Sequence, residues 1–404
     1  MENFNPEEAL INTKREFGEH GGVSPSLSRS STFTVMEPGT MPEIFGGIKG
    51  PDRGGCYLYS RHFNPTVNLV SRYLAAMEDT QSAMCTASGM SAISCAILQI
   101  CGAGSHIVSG SSIYGGTYAL FKDLLPQYNI HTTFVDTSDY KAYEKAIKPE
   151  TKVIYVESLS NPTLQVPDIK RLSELAKKNN IKLVVDNTFL PVVLSPSRLG
   201  ADVVVYSMTK FINGASDIIA GAICGTTEFI NQLMDVNTGR VMLFGPTLDP
   251  RAAYDVIQRI PHLPLRMQEH GRRTLRLTKM LEELNVKVKY PGLSSHPDHE
   301  YLTSIFNAGY GYGGVFSIDC ETKEKANQLL SVLQNEEDFG YIAVSLGYFD
   351  TLMSCSGSST SSELSDEEQR EIGLSPGLLR ISTGITGSID KREEQLKRAV
   401  QKVL

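Results

Sequence analysis

Short apolar runs alternate with amphipathic segments along the middle of the chain, from about residue 64 to residue 260. The runs are rich in β-branched residues, which is typical of buried strands, and they lie at 106–109, 130–135, 153–156, 183–185 and 203–206. The end of a further strand is predicted at 83–86. Between them lie helical patterns such as 168–178. This alternation predicts an α/β unit, with a mostly parallel sheet and helices on both faces. Ligands of such sheets bind outside the carboxyl ends of the strands.

The pattern changes on either side of this middle region. Residues 1–63 contain many Gly and Pro and have weak periodicity, which predicts an extended arm that packs on a neighbouring subunit. Residues 261–404 predict an α+β C-terminal domain. Its predicted elements are a long helix over 263–284, strands at 286–290, 315–319, 341–346 and 378–382, a helix over 323–333 and a serine-rich loop over 354–362.

One glycine motif in the C-terminal region resembles a nucleotide-binding sequence. Gly309, Gly311 and Gly314 form a GxGxxG string. The string precedes a strand, whereas the dinucleotide-binding motif follows one, so we reject that interpretation.

Composition narrows the class of protein. A length of 404 residues predicts two or three structural units, and 41% hydrophobic with 21% charged residues is ordinary for a globular enzyme. A net charge of -7 argues against nucleic acid or an acidic membrane surface as a partner. We see neither a secretory signal nor a run near the ~18 apolar residues that span a bilayer, so we expect a cytoplasmic protein.

The cysteines and histidines give no sign of a disulfide framework or a metal site. The seven cysteines are irregularly spaced and include no CxxC pair, which predicts reduced thiols. The eight histidines are scattered, and the segment His296-Pro297-Asp298-His299 reads as a surface turn. We therefore expect no metal.

The strand predicted over 203–206 leads into the main candidate for chemistry. It is followed by Ser207, Thr209 and Lys210. A lysine at the end of a buried strand has low-dielectric surroundings, which lower its pKa and free its lone pair. The two hydroxyls could point the same way and bind one anion. An amine nucleophile beside a phosphate-sized site suits pyridoxal phosphate (PLP); an ordinary surface lysine is the alternative.

Two other predicted strands end in carboxylates. Asp186 follows the run at 183–185, and Glu157 follows the run at 153–156. A carboxylate at a buried strand end costs free energy unless it pairs with a cation or a donor. Asp186 and Lys210 are 24 residues apart, which is one βαβ step, so both could face the same crevice. The alternative is that Asp186 is an ordinary helix cap or turn acid.

A turn of small residues precedes the helix predicted to end near Cys101. It contains Ser88, Gly89 and Met90. The N–H groups at such a helix start can hold an anion, and glycine permits its close approach. A plain serine-capped helix is the alternative.

Taken jointly, these motifs resemble the cystathionine/methionine-metabolism family of fold-type I PLP enzymes over nearly the full length, and most of all its plant-type methionine γ-lyases. The motifs that carry the resemblance are Tyr59-Ser60-Arg61, Asn64-Pro65-Thr66, Ser88-Gly89-Met90, Tyr114-Gly115-Gly116-Thr117, Glu157-Ser158, Asn161-Pro162, Asp186-Asn187-Thr188, Ser207-Met208-Thr209-Lys210, Ser345-Leu346-Gly347 and Arg380-Ile381-Ser382.

The resemblance implies PLP as the cofactor and assigns roles around it. Lys210 would carry the cofactor covalently and then shuttle protons. Asp186 would pair with its ring nitrogen, and Tyr114 would stack on the ring and act as acid or base near the leaving group. The implied phosphate ligands are Gly89, Met90, Ser207 and Thr209, with Tyr59 and Arg61 from a neighbouring subunit of a homodimer or homotetramer.

The resemblance also implies a sulfur amino acid as substrate. Arg380, aided by Ser345, would bind its carboxylate. Val344 stands where cystathionine-cleaving relatives carry glutamate, so it favours a thioether such as methionine. Gly116 stands where bacterial methionine γ-lyases carry cysteine, which argues against high activity on methionine. Plant-type relatives, however, share the glycine.

The implied reaction is the elimination of methionine to methanethiol, 2-oxobutanoate and ammonia. A sister activity is the first alternative: a cystathionine γ-lyase or γ-synthase, or an O-acetylhomoserine sulfhydrylase. A catalytically silent protein on the same fold is the second. It is disfavoured because Lys210 and Asp186 are both present.

Overall fold

Two β-sheets organise the chain. The computed structural model describes residues 4–13, 16–50, 57–356, 369 and 374–404. The strands of the seven-stranded sheet are β1 (Ser82–Thr86), β2 (His106–Gly110), β3 (His131–Val135), β4 (Thr151–Glu157), β5 (Lys182–Asp186), β6 (Val203–Ser207) and β7 (Gly221–Gly225). Those of the five-stranded sheet are β8 (Val288–Lys289), β9 (Val315–Asp319), β10 (Tyr341–Ile342), β11 (Leu352–Cys355) and β12 (Leu378–Ser382).

Helices precede, separate and follow these strands. In the described ranges they are α1 (Pro6–Asn12), α2 (Thr40–Phe45), α3 (Pro65–Glu78), α4 (Gly89–Ile100), α5 (Gly115–Ala119), α6 (Tyr140–Ala146), α7 (Ile169–Lys178), α8 (Thr227–Leu233), α9 (Arg240–Phe244), α10 (Pro250–Arg259), α11 (Leu263–Glu283), α12 (His299–Ile305), α13 (Lys323–Asn335) and α14 (Ile389–Val403). Short helical turns complete the secondary structure.

The larger sheet is mostly parallel, which confirms the predicted fold class. Its strand order is β1-β7-β6-β5-β4-β2-β3, and only β7 runs antiparallel to its neighbours. The sequence did not predict β7. Its residues Gly-Ala-Ile-Cys-Gly are small and include a single β-branched side chain, so the usual strand signal is weak.

Alternate residues of each central strand pack on opposite faces of this sheet. Val204 and Tyr206 lie in one buried cluster with side chains of α3, whereas Val203 and Val205 lie in another with side chains of α4. The period of two follows from the pleat of the strand. Helices therefore cover both faces, as predicted.

Part of the N-terminal arm packs on its own chain. It begins with α1, a helix that the sequence did not predict, and Leu10 of α1 is buried in the same cluster as α3. Further along, Thr32 pairs with Tyr59 through an isolated bridge. Between them Val23 and Met36 are exposed. Contact of the arm with a neighbouring subunit stays a prediction.

The C-terminal part agrees with the sequence in its long helix but not in every strand. The predicted helix over 263–284 is α11. The predicted strand over 341–346 is wrong beyond Ile342, because the chain leaves the sheet there. Strand β11 and helix α14 were not predicted. The serine-rich loop from residue 357 onward lies outside the described residues, and the domain boundaries near residues 63 and 260 stay predictions.

The helices, the potential metal ligands and the cysteines of the described ranges bear on the environment of the protein and on metal binding. None of the helices there combines the length and the apolar character that a bilayer crossing needs. No group of three or more His, Cys, Asp or Glu side chains comes together there as a metal site would require. Cys85, Cys95, Cys101, Cys224 and Cys320 are free and buried. Cys355 is buried as well, and Cys56 lies outside the described ranges.

Candidate active site

A cavity of about 270 Å³ lies at the carboxyl edge of the larger sheet. The ends of three adjacent strands meet there: Glu157 of β4 pairs in register with Asp186 of β5, which pairs with Val205 of β6. The start of α4 and loops of the C-terminal part close the cavity. Its wall contains Ser88, Gly89, Met90, Ile93, Tyr114, Glu157, Leu159, Asn161, Asp186, Thr188, Phe189, Ser207, Thr209, Lys210, Ile219, Val344, Ser345, Leu346 and Arg380.

Lys210 reaches the cavity from the turn that follows β6. Its Nζ donates a hydrogen bond to Ser345 Oγ at 3.0 Å. Burial, together with the positive charge of Arg380, lowers the pKa of Lys210 to about 8, because both disfavour the ammonium form. A larger share of this amine is therefore neutral near neutral pH than of an exposed lysine.

Asp186 presents a buried carboxylate to the same cavity. Its Oδ1 accepts the Thr188 N–H at 2.9 Å, and the Tyr155 hydroxyl donates to Oδ2 at 3.4 Å. Burial raises the pKa of Asp186. No lysine or arginine of the described residues makes an ion pair with it, so a cationic ligand group would supply the charge that this carboxylate needs.

Glu157 binds backbone on two sides. Its Oε1 accepts the Tyr114 N–H at 2.7 Å, and its Oε2 accepts the Asn161 N–H at 2.8 Å. Burial, and then the neighbouring Asp186 charge, raise the pKa of Glu157 well above its usual range. The sequence predicted Glu157 only as a carboxylate at the end of a strand; the contact with Tyr114 adds that it holds the start of α5.

The start of α4 supplies donors for an anion. Ser88 and Ser91 cap the helix reciprocally, and the first-turn N–H groups of Gly89 and Met90 have no partner within their own helix. A Cβ at residue 89 would lie 2.7 Å from Ser207 Cβ, so only glycine lets the two segments meet. The Thr209 hydroxyl accepts the Ala220 N–H at 3.0 Å, which leaves the Ser207 hydroxyl as the freer of the two.

Tyr114 lies at the mouth of the cavity, just before α5, and 44% of it is exposed. Gly116 does not belong to the cavity wall. It lies beside the Tyr114 ring, and a Cβ at residue 116 would come within 2.6 Å of Tyr114 Cε1. We predicted Gly116 as a substrate contact; the geometry lets it act on the cavity through the orientation of Tyr114 instead.

Arg380 enters the cavity from β12 of the smaller sheet. Its Nη1 donates to Asn161 Oδ1 at 3.0 Å, and its Nη2 donates to the Ser345 carbonyl at 3.3 Å. Burial lowers the pKa of Arg380 to about 10, which still leaves it charged at neutral pH. Val344, beside Ser345, is 69% exposed at the cavity mouth.

Tyr59 and Arg61 do not line this cavity in their own chain. Arg61 Nη1 donates to the Met242 carbonyl at 2.9 Å, and the guanidinium lies 5.5 Å from the centre of the Tyr59 ring. Both side chains are exposed. Their predicted role in a neighbouring subunit stays a prediction.

Several wall residues were not singled out from the sequence as site residues. Thr188 had a signal, because it lies two residues after Asp186, just beyond a predicted strand. Leu159, Phe189 and Ile219 had none, since apolar side chains in loops are common and only the fold brings these three to one cavity.

The residues present fit pyridoxal phosphate in three places. Lys210 offers an amine of lowered pKa, and Asp186 offers a buried carboxylate that lacks a cation. The start of α4, together with Ser207, offers donors for a phosphate. These groups lie around one cavity, as a ring with an amine-reactive carbon, a basic nitrogen and a phosphate requires.

Comparison with known proteins agrees with this fit. A family model described as "Cys/Met metabolism PLP-dependent enzyme" matches residues 7–401. A protein of Arabidopsis thaliana named methionine gamma-lyase is 52% identical over 98% of this chain and 90% of its own length. The cystathionine gamma-lyase of Bacillus subtilis (strain 168) is 33% identical over 93% of this chain and 96% of its own.

A solved structure gives the same picture at the level of fold. The putative O-acetylhomoserine (thiol)-lyase of Campylobacter jejuni matches with a TM-score of 0.89 at 25% identity, covering 98% of this chain and all of its own. That structure contains N'-pyridoxyl-lysine-5'-monophosphate.

Proposed function

We propose that this chain, which belongs to the Cys/Met metabolism PLP-dependent enzyme family, has methionine γ-lyase activity. The reaction converts L-methionine and water to methanethiol, 2-oxobutanoate and ammonia. Membership of the family confirms the predicted cofactor and enzyme class: the chain is a PLP-dependent enzyme. The roles of individual residues below are part of the proposal.

The cofactor would be held at both ends of the cavity. Lys210 would carry it covalently, Asp186 would pair with its ring nitrogen, and the start of α4 with Ser207 and Thr209 would bind its phosphate. When bound, it withdraws electrons from the substrate carbons next to the amine, which makes their protons acidic.

Lys210 and Tyr114 would move the protons. With the substrate bound, the free Lys210 amine would take the proton from the substrate Cα, release it, and then take a second proton from Cβ. Ser345 Oγ lies 3.0 Å from the Lys210 Nζ and holds that amine in place. The Tyr114 hydroxyl gives a proton to the departing thiolate at Cγ, which its position at the mouth of the cavity allows.

Arg380 would fix the substrate carboxylate. The guanidinium is buried and is oriented by Asn161 and by the Ser345 carbonyl. A planar fork held in this way binds a carboxylate through two parallel hydrogen bonds. The substrate amine then lies on the side of Lys210, because Ser345 contacts both side chains.

The observation that carries the choice of substrate is the apolar side chain of Val344 at the cavity mouth. Cystathionine ends in a second ammonium and carboxylate, and an apolar contact leaves such charges without a partner. The methyl thioether of methionine has no such charge. The high identity with the Arabidopsis protein supports the same choice.

A substrate panel tests this proposal. Purified, PLP-loaded protein is assayed for 2-oxobutanoate with methionine, cystathionine and homocysteine, and for thiol addition to O-acetylhomoserine. We expect methionine to have the highest kcat/KM. Turnover of cystathionine or O-acetylhomoserine without release of 2-oxobutanoate from methionine would contradict the proposal and favour a sister activity.

Assembly and location belong to the proposal as well. Tyr59 and Arg61 are exposed and lie away from their own cavity, which supports a homodimer, or a homotetramer built from two dimers, in which they reach a neighbour's phosphate site. We also propose a cytoplasmic location and division of the chain into an arm, a PLP-binding unit over 64–260 and a C-terminal unit. Light scattering that finds an active, PLP-loaded monomer would overturn the assembly.

A further inference from the structure

Glu78, the last residue of α3, is a carboxylic acid that the proposed chemistry does not use. It is fully buried on the α3 side of the larger sheet. Its Oε1 accepts the Ser197 N–H at 2.9 Å, and its Oε2 accepts the Tyr206 hydroxyl. Burial raises the pKa of Glu78 to about 8. A carboxyl group in such a place is costly to bury.

A line of hydrogen bonds leads from Glu78 across the strand ends. The Ser158 hydroxyl donates to Asn187 Oδ1 at 2.7 Å, Asn187 Nδ2 donates to the Tyr206 hydroxyl at 2.9 Å, and that hydroxyl donates to Glu78. All four side chains are buried. The donors all point the same way, so each bond polarises the next. We refer to these four residues as the Glu78 network.

Each strand-end member of the Glu78 network is the chain neighbour of a cavity residue. The pairs are Ser158 with Glu157, Asn187 with Asp186, and Tyr206 with Ser207. Successive side chains of an extended segment point to opposite sides. The network therefore ties the ends of β4, β5 and β6 together from behind, while the cavity residues face forward.

We propose that Glu78 is a positioning residue of the cofactor site. By anchoring Tyr206 and Asn187, it fixes the distance between Asp186 and Ser207, the groups that would meet the ring nitrogen and the phosphate of PLP. This inference rests on the roles proposed above for those two residues. Glu78 itself touches neither the cavity nor the reacting atoms.

Two variants cut the network in different places. Tyr206→Phe removes only the hydroxyl that joins Asn187 to Glu78. Glu78→Gln keeps the size of the side chain but replaces one of its two acceptor oxygens with a donor group. Ser71→Ala is the matched control, because Ser71 is also buried on α3 and its hydroxyl donates to the Val67 carbonyl at 3.3 Å, not to the network or the cavity.

The first readout is the binding of PLP to the apoprotein, measured by equilibrium dialysis in the absence of substrate. At metal sites, loss of a partner that orients a ligand costs roughly 10- to 100-fold in affinity, and we expect a loss of similar size in PLP affinity for Tyr206→Phe and for Glu78→Gln. Ser71→Ala should bind PLP as the unchanged protein does.

Hydrogen exchange of the apoprotein is the second readout. The Asn187 N–H is bonded to the Val205 carbonyl and the Ser207 N–H to Thr188 Oγ1. Both amides should exchange faster in the two network variants, while amides of β12 stay unchanged.

A purely structural role predicts a different result. Variants that melt at lower temperature, yet bind PLP with unchanged affinity and exchange these amides at unchanged rates, would overturn the inference. If Glu78→Gln does not fold, Tyr206→Phe decides alone. Neither readout needs a substrate. Failure of the unchanged protein to cleave methionine would therefore contradict the proposed function but would leave the conclusion on Glu78 unaffected.

Discussion

Replacing Arg380 by lysine tests the proposed substrate clamp. The guanidinium is buried and makes two hydrogen bonds at once, to Asn161 Oδ1 at 3.0 Å and to the Ser345 carbonyl at 3.3 Å. Lysine keeps the positive charge but has no planar fork, so it cannot keep both contacts and bind a carboxylate through two bonds.

The size of the effect follows from the bonds that are lost. A hydrogen bond between charged groups contributes about 1.5–3 kcal/mol, and each 1.4 kcal/mol or so is a factor of ten. Loss of one of the two bonds to the substrate carboxylate should therefore raise the KM for methionine about 10- to 100-fold. The kcat should change less, because Lys210 and Tyr114 are left intact.

Initial rates of 2-oxobutanoate release give both constants. Arg273→Lys is the matched control: Arg273 of α11 is also largely buried and binds two carbonyls, those of Thr386 and Gly387, each at 2.8 Å, but it does not line the cavity. We expect the control to lower thermal stability and to leave KM unchanged. An Arg380→Lys enzyme with unchanged KM, or an equal rise in the control, would refute the reasoning.

Three further predictions concern the amine, the cavity mouth and the arm. Because burial lowers the pKa of Lys210 to about 8, its neutral fraction grows as pH rises through that value; the rate of PLP incorporation into apoprotein should rise with a midpoint near pH 8, and a rise delayed to the ordinary lysine range of about 10 would contradict this. Val344→Glu should lower turnover of methionine and raise that of cystathionine, with Val344→Gln as the uncharged control; equal effects of the two would show that charge is not the cause. Arg61→Ala and Lys210→Ala chains, each inactive alone, should regain part of the activity when mixed in one oligomer, since one site then holds both intact residues; a mixed oligomer with no activity would contradict a role for Arg61 across subunits.

The larger sheet could be predicted because its strands have a strong local signal. The runs ending at Glu157, Asp186 and Ser207 are β-branched and apolar and stop at polar residues, so both the strands and their functional ends are visible in the sequence. Strand β7 was not predicted, because small residues between glycines have little strand propensity.

The loop that carries Ser345 could not be predicted in the same way. An apolar run indicated a strand, but the chain leaves the sheet after Ile342 and then turns at Gly347, where φ is +75°. A Cβ there would lie 2.4 Å from the backbone nitrogen of Phe211. The contact that brings Ser345 to Lys210 is thus set by packing of two distant segments, which local pattern does not contain.

In the candidate site too, some features could be predicted from the sequence and others only from the fold. Lys210 and Asp186 stand out because amines and acids at buried strand ends are unusual. The hydrogen bond from the Tyr114 N–H to Glu157 and the hydrogen bonds of the Glu78 network depend on which strands are neighbours in the sheet. Those contacts join residues far apart in the chain and become visible only with the fold.

The attachment point of the cofactor tests the account most directly. Borohydride reduction of the PLP-loaded protein makes the bond between cofactor and lysine permanent, and peptide mapping then locates it. We expect the label on the peptide that contains Lys210 and on no other, and none in the Lys210→Ala variant. A label on a different lysine, or no label on protein that has bound PLP, would contradict the account.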